Sequence, residues 1–93
     1  MQMAVYIVTY DIDVKSKNYH AVVQAIKNAS TGIWYSYWKS SWLIQSPLSA
    51  DGVYSKIQPF LNISDHVFVI EVKKNYQGLL SCSEDWKHIS CMF

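Results

Sequence analysis

The clearest feature of the hydrophobic pattern is the run Ala4-Val5-Tyr6-Ile7-Val8-Thr9-Tyr10, which ends at Asp11. It is apolar at nearly every position and lacks the alternation that is typical of a strand with one face in water. The run therefore predicts a strand over residues 3–10 that is buried on both faces. Because a chain of 93 residues seldom covers both faces of a sheet by itself, an uncovered apolar face is expected to bind a partner.

Apolar residues at helical spacing indicate two helices. The first is predicted over residues 19–29, with Asn18 as its N-cap and Gly32 after its end, where a left-handed conformation is favourable. The second begins after Ser49, a predicted N-cap, and Pro59 marks its last turn because proline lacks the backbone N–H that a helix interior requires. The apolar stripe of the second helix is Val53, Ile57, Phe60 and Leu61.

Three further strands are predicted over residues 33–38, 41–46 and 66–72, with a hairpin turn at Lys39-Ser40. A short helix signal follows at residues 83–86. The order β-α-β-β-α-β predicts an α+β, ferredoxin-like single domain over residues 1–93, with a four-stranded antiparallel sheet and both helices on one face. The first strand is expected to be central and the last to lie at an edge. The tail over residues 75–93 is expected to take part in dimerisation.

Charge is sparse, at 16% of residues, and the net charge is +1. All eight basic residues are lysines. The chain therefore cannot make the bidentate contacts that arginine makes with phosphate or guanine. Nucleic-acid binding is therefore expected to be weak and salt-sensitive. Cys82 and Cys91 match no zinc or redox spacing and are expected to be reduced. The first residues resemble no signal peptide, so a cytoplasmic location without membrane association is expected.

Several stretches resemble the small ferredoxin-like adaptation subunits of CRISPR systems, and most closely their SinR-like branch. The resemblance covers residues 3–73 in order. The stretches that carry it are Tyr6-Ile7-Val8-Thr9-Tyr10-Asp11, Asn18-Tyr19, Ala25-Ile26-Lys27, Trp34-Tyr35-Ser36-Tyr37, Ser40-Ser41-Trp42, Leu48-Ser49-Ala50, Ile57-Gln58-Pro59-Phe60-Leu61, Asp65 and Val69-Ile70-Glu71-Val72.

This resemblance implies a homodimer built by the open sheet faces, an association with nucleic acid and a metal-dependent nuclease activity centred on the aspartate after the first strand. Only Asp11 matches that aspartate. The adaptation subunits also use arginines to contact DNA, and this chain has none.

Asp11 stands where the first strand leaves the sheet, and two chemical roles fit that position. Paired across a dimer axis, two Asp11 carboxylates could bind one Mg²⁺ or Mn²⁺, with Asp13 as a second ligand. Alternatively, Asp11 caps the following loop by accepting backbone N–H bonds, which is the more frequent role of such an aspartate.

The aromatic hairpin offers a second candidate site. Stacking of bases or of a planar ligand is possible on a binding surface formed by Tyr10, Trp34, Tyr37, Trp38 and Lys39. The alternative is that these side chains pack against the helices and at a dimer interface, where aromatic residues are enriched. Neighbouring residues of a strand point to opposite faces of the sheet. Trp34, Ser36 and Trp38 therefore share one face, and Ile33, Tyr35 and Tyr37 share the other. Only one of these two sets can be exposed.

Three functions remain open on the sequence. The first is a non-catalytic homodimeric module that binds nucleic acid or a defence-system protein. The second is a Mg²⁺- or Mn²⁺-dependent endonuclease that uses Asp11. The third is an inhibitor or ligand-sequestering protein of a phage or mobile element on the same fold.

Overall fold

The computed structural model describes residues 3–13, 15–38, 40–78 and 83–93, together with all side chains in these ranges except those of residues 37, 38 and 83. The chain forms an α+β structure with one four-stranded sheet. Its elements are β1 (Ala4–Asp11), α1 (Tyr19–Ala29), β2 (Trp34–Trp38), β3 (Ser41–Ser46), α2 (Ala50–Ile57), a single 3-10 turn (Gln58–Phe60), β4 (His66–Val72) and α3 (Ser83–Met92).

The strands lie in the order β2-β3-β1-β4, and every neighbouring pair is antiparallel. As the sequence predicts, β1 is central and β4 lies at an edge. On β1, Ile7 lies opposite Leu43 of β3 and opposite Ile70 of β4, which fixes the register. Because side chains alternate along a strand, the odd-numbered residues of β1 share one sheet face and the even-numbered residues share the other.

The first face is covered by α1 and α2. Tyr6, Val8 and Tyr10 of β1 are almost completely buried there, against Ile26 of α1 and Ile57 of α2. The two helices also contact each other. Each apolar side chain of this size that is fully buried stabilises the folded state by about 1.5–3 kcal/mol. Because this layer holds the larger cluster of buried residues, it is the main core.

Local signals explain where the helices begin and end. Ser49 caps α2 as predicted, because its Oγ accepts a hydrogen bond from the Gly52 N–H at 3.0 Å. Pro59 lies in the 3-10 turn that ends this helix, in agreement with the prediction for its last turn. Gly32 has a φ of +107°, a conformation that side-chain-bearing residues rarely adopt.

The N-cap prediction for Asn18 is correct in position but wrong in mechanism. Asn18 precedes α1 without a side-chain capping bond. Its Nδ2 instead donates to the Phe60 carbonyl at 2.9 Å and to Asp65 Oδ2 at 2.8 Å. These bonds fasten the start of α1 to the loop before β4. The Asn18 Oδ1, the atom that would cap the helix, accepts the Ser16 O–H instead.

The second face of the sheet is partly covered by the chain's own C-terminal helix, which corrects the expectation that this face is left open. Ile89 and Met92 of α3 are buried against Val5 of β1 and Leu43 of β3. Gln45 Nε2 also donates to the Met92 carbonyl at 2.9 Å. The helix extends well beyond the short signal predicted at residues 83–86.

No helix in the described parts of the chain is long and apolar enough to cross a membrane. Cys91 is an exposed free thiol, and Cys82 lies outside the described residues.

Candidate functional site

Asp11 occupies the last position of β1, where the strand leaves the sheet. Its side chain is exposed, and His66 of β4 lies directly opposite it. The two residues border a shallow open depression of about 250 Å³ that also contacts Thr9 and Phe68. Asp11 therefore lies at a solvent-accessible position, as both sequence hypotheses require.

The loop-capping role belongs to Asp13 rather than to Asp11. Asp13 Oδ1 accepts the Lys15 N–H at 2.9 Å, and the Asp13 carbonyl accepts the Ser16 N–H at the same distance. Among the described residues, the Asp11 carboxylate accepts no hydrogen bond. The expectation that Asp11 caps the loop is therefore wrong, because the chain turns two residues further on.

The metal hypothesis for Asp11 and Asp13 finds no third ligand nearby. Across the described ranges, no group of three His, Cys, Asp or Glu side chains is placed to hold a metal ion. The Asp13 carboxylate already accepts the Lys15 N–H within the turn. A Mg²⁺ or Mn²⁺ site would need Asp11 from a second copy, since these ions take oxygen ligands from several groups.

Tyr10 lies in the core, which removes it from the predicted binding surface. Its exposed fraction is 7%, and its hydroxyl accepts a hydrogen bond from Trp42 Nε1 at 3.0 Å. The Tyr19 hydroxyl lies 3.4 Å away. Burial, with a smaller contribution from the hydrogen bond to Tyr19, raises the pKa of Tyr10 to about 12. Tyr10 is thus a neutral structural residue at physiological pH.

Trp34 is half-buried at the end of the first sheet face. Its ring meets that of Trp42 edge-to-face, with centroids 5.3 Å apart. Lys27 Nζ lies 4.6 Å from the Trp34 ring centroid and 5.4 Å from that of Trp42. Cation–π contacts of this kind contribute about 0.5–1 kcal/mol at exposed sites. The Lys27 ammonium thus lies over the Trp34 ring, where a stacked base would otherwise bind. The remaining members of the predicted surface, Lys39 and the side chains of Tyr37 and Trp38, lie outside the described residues.

Because side chains alternate along a strand, Phe68 and Ile70 lie on the opposite face of β4 from Val67 and Val69. In the structure, Phe68 is 60% exposed and Ile70 is 45% exposed, both on the second sheet face beyond the reach of α3. Phe68 faces Thr9 of β1. We refer to Phe68 and Ile70 as the β4 patch, a pair of exposed apolar side chains next to the predicted site.

The pairing of β4 with β1 also sets the position of Glu71, the acidic residue of β4. Glu71 lies opposite Tyr6, at the other end of the strand pair from Asp11, so the two carboxylates do not converge. Tyr6 is buried and donates its O–H to the Leu48 carbonyl at 2.6 Å. Burial, and to a smaller extent the negative charge of Glu71, raises the pKa of Tyr6.

Comparison with known protein families finds no family model that matches this chain, and comparison with characterised proteins likewise finds no match.

Proposed function

We propose that the protein is a homodimeric, non-catalytic binding module with a ferredoxin-like fold, in which two copies join through the free edge of β4. The observation that carries this proposal is the exposure of Phe68 and Ile70 on the outermost strand. Large apolar side chains exposed next to each other are characteristic of interaction sites.

The backbone of β4 is open to pairing. One side of β4 pairs with β1, and no strand in the described parts of the chain pairs with its other side. Unprotected edges attract further strands, and proteins usually block them with proline, inward-pointing lysine or a bulge. The strand sequence His66–Val72 contains neither proline nor lysine.

A twofold axis through Val69 makes this edge self-complementary. Antiparallel pairing about that axis places Phe68 opposite the partner's Ile70, so the β4 patches of the two copies meet. A symmetric dimer requires this kind of self-complementarity, since the same surface serves both subunits.

The proposed dimer separates the two Asp11 residues. Each Asp11 aligns with His66, three positions from the axis, and lies one strand further from the interface. Strand spacing and rise place the two carboxylates roughly 25 Å apart. A shared metal at the dimer axis is incompatible with this arrangement, so the geometry favours a binding module over an Asp11-centred nuclease.

The resemblance to CRISPR adaptation subunits extends the proposal to a partner beyond the second copy. Charge favours a protein of a defence system over nucleic acid, because eight basic and seven acidic residues leave few phosphates that can be neutralised at once. Binding to a DNA duplex, measured between low and physiological salt, is expected to be weak, with a log–log slope smaller than about 5. Tight binding at high salt would contradict this choice of partner.

Light scattering at micromolar concentration tests the dimer. We expect a mass about twice the 10.8 kDa of the chain for the wild type and for Phe60→Ser, and the monomer mass for Phe68→Ser. Phe60 is a matched control because it is 45% exposed but lies in the 3-10 turn, away from β4. A monomeric wild type, or a dimer that survives Phe68→Ser, would contradict the proposal.

A further inference from the structure

A cavity of about 500 Å³ lies between the second sheet face and α3. Its floor is formed by Ile7, Leu43 and Val72, which belong to three adjacent strands. Its roof includes Trp86 and Ile89, which lie three residues apart on α3 and therefore share a helix face. The volume falls within the range of about 300–1,000 Å³ that is typical of small-molecule sites.

The side wall of the cavity is aromatic and comes from the chain that follows β4. The Tyr76 ring stacks on Trp86, with centroids 5.9 Å apart and planes 6° from parallel. It also stacks on Phe93, with centroids 5.6 Å apart. Stacking thus joins Tyr76 to both aromatic residues of the C-terminal segment that line the cavity.

Among the described lining residues, Lys73 is the one charged residue. Lys73 is exposed and follows Val72, and the lining also includes the neutral polar residues Asn75 and Gln77 but no acidic residue. Within the described ranges, the Lys73 ammonium forms no ion pair. An apolar interior with one cation at its edge is complementary to an amphiphile that carries a single negative charge.

We propose that this cavity binds a small carboxylate with an apolar body, held between the sheet and α3 with its charge at Lys73. This site goes beyond the proposed dimer and does not depend on it, since neither Phe68 nor Ile70 lines the cavity.

A titration of the full-length protein with anilinonaphthalene sulfonate, an apolar anion whose fluorescence rises on transfer out of water, tests the site. We expect saturable binding that decanoate displaces and that decylamine displaces much less effectively. Lys73→Gln should weaken probe binding about two- to fivefold, the range of a partly exposed charge contact, whereas the neighbouring Lys74→Gln should leave binding unchanged.

Two further variants complete the test. Val72→Phe fills part of the cavity and should abolish binding, with its fold checked by circular dichroism. Phe68→Ser should bind as the wild type does, which distinguishes the cavity from the β4 patch and keeps the result independent of dimerisation. Absence of saturable binding, equal displacement by decanoate and decylamine, or equal effects of Lys73→Gln and Lys74→Gln would overturn the proposal.

Discussion

Outside the main core, α3 docks on the second face of its own sheet. The substitution Ile89→Ala tests how much this docking contributes to the free energy of unfolding. Ile89 is 5% exposed and packs with Met92 against Val5 and Leu43. The change removes the three side-chain carbons beyond Cβ, each worth about 0.8 kcal/mol of transfer free energy. With the cavity that remains, the free energy of unfolding should fall by about 2–4 kcal/mol.

The assay is urea and thermal unfolding followed by far-ultraviolet circular dichroism. For a domain of this size, each kcal/mol lowers the midpoint by about 4–8 °C, so a fall of at least about 8 °C is expected. Ile63→Ala is the matched control, because Ile63 is fully exposed in the loop before β4 and its truncation should change stability by less than about 0.5 kcal/mol.

The same experiment distinguishes docking within one chain from exchange of α3 between two chains. In the Phe68→Ser background, which removes the proposed dimer contact, the midpoint should not depend on protein concentration. A stability loss in Ile89→Ala no larger than that in Ile63→Ala, or a midpoint that rises with concentration in this background, would refute the account of α3.

Three other predictions follow from single hydrogen bonds. Tyr10→Phe should cost about 1–2 kcal/mol, because it leaves the half-buried Trp42 N–H without its acceptor. Since folding raises the pKa of Tyr10 from 10.0 to about 12, its contribution is fully present below pH 10 and is lost as the pH rises towards 12. The alkaline fall in wild-type stability should therefore be shallower in Tyr10→Phe. Asp13→Ala should lower the free energy of unfolding measurably, and Asp11→Ala should change it by less than about 0.5 kcal/mol; the reverse order would contradict the turn assignment. Ser49→Ala should cost about 1 kcal/mol in urea unfolding, and an unchanged midpoint would argue against the cap.

Features with local causes could be predicted from the sequence. The four strands and first two helices follow from apolar spacing, and Ser49, Pro59 and Gly32 act on their own neighbours. These residues impose backbone geometry whatever the rest of the chain does, so their effects can be read before the fold is known.

Features that depend on distant partners could not be predicted in the same way. The Asn18 side chain donates to Phe60 and Asp65, more than 40 residues away, and these bonds cannot be read from its local sequence. Strand alternation predicts that one of the two aromatic sets of the hairpin strand is buried but does not tell which. The burial of Tyr10 depends on the helices that cover its face of β1. The docking of α3 was missed because its few apolar residues are informative only once the sheet face that receives them is known.

The candidate site shows the same division. The exposed position of Asp11 at the strand end followed from the pattern, whereas the transfer of the capping role to Asp13 depends on where the loop turns. The exposure of Phe68 and Ile70 depends on how far α3 reaches across the sheet, a tertiary property that no local pattern records.

Disulfide crosslinking of β4 tests the central claim most directly. A twofold axis at Val69 brings its Cα atom to about 4.5–5.5 Å from that of the partner's Val69, within the range that a disulfide bridges. Val69→Cys, with Cys82 and Cys91 replaced by serine, should therefore form a covalent dimer under mild oxidation. Val67→Cys in the same background should not, because the two copies of that position would lie roughly 13 Å apart. Failure of Val69→Cys to crosslink, or equal crosslinking at both positions, would contradict the proposed dimer.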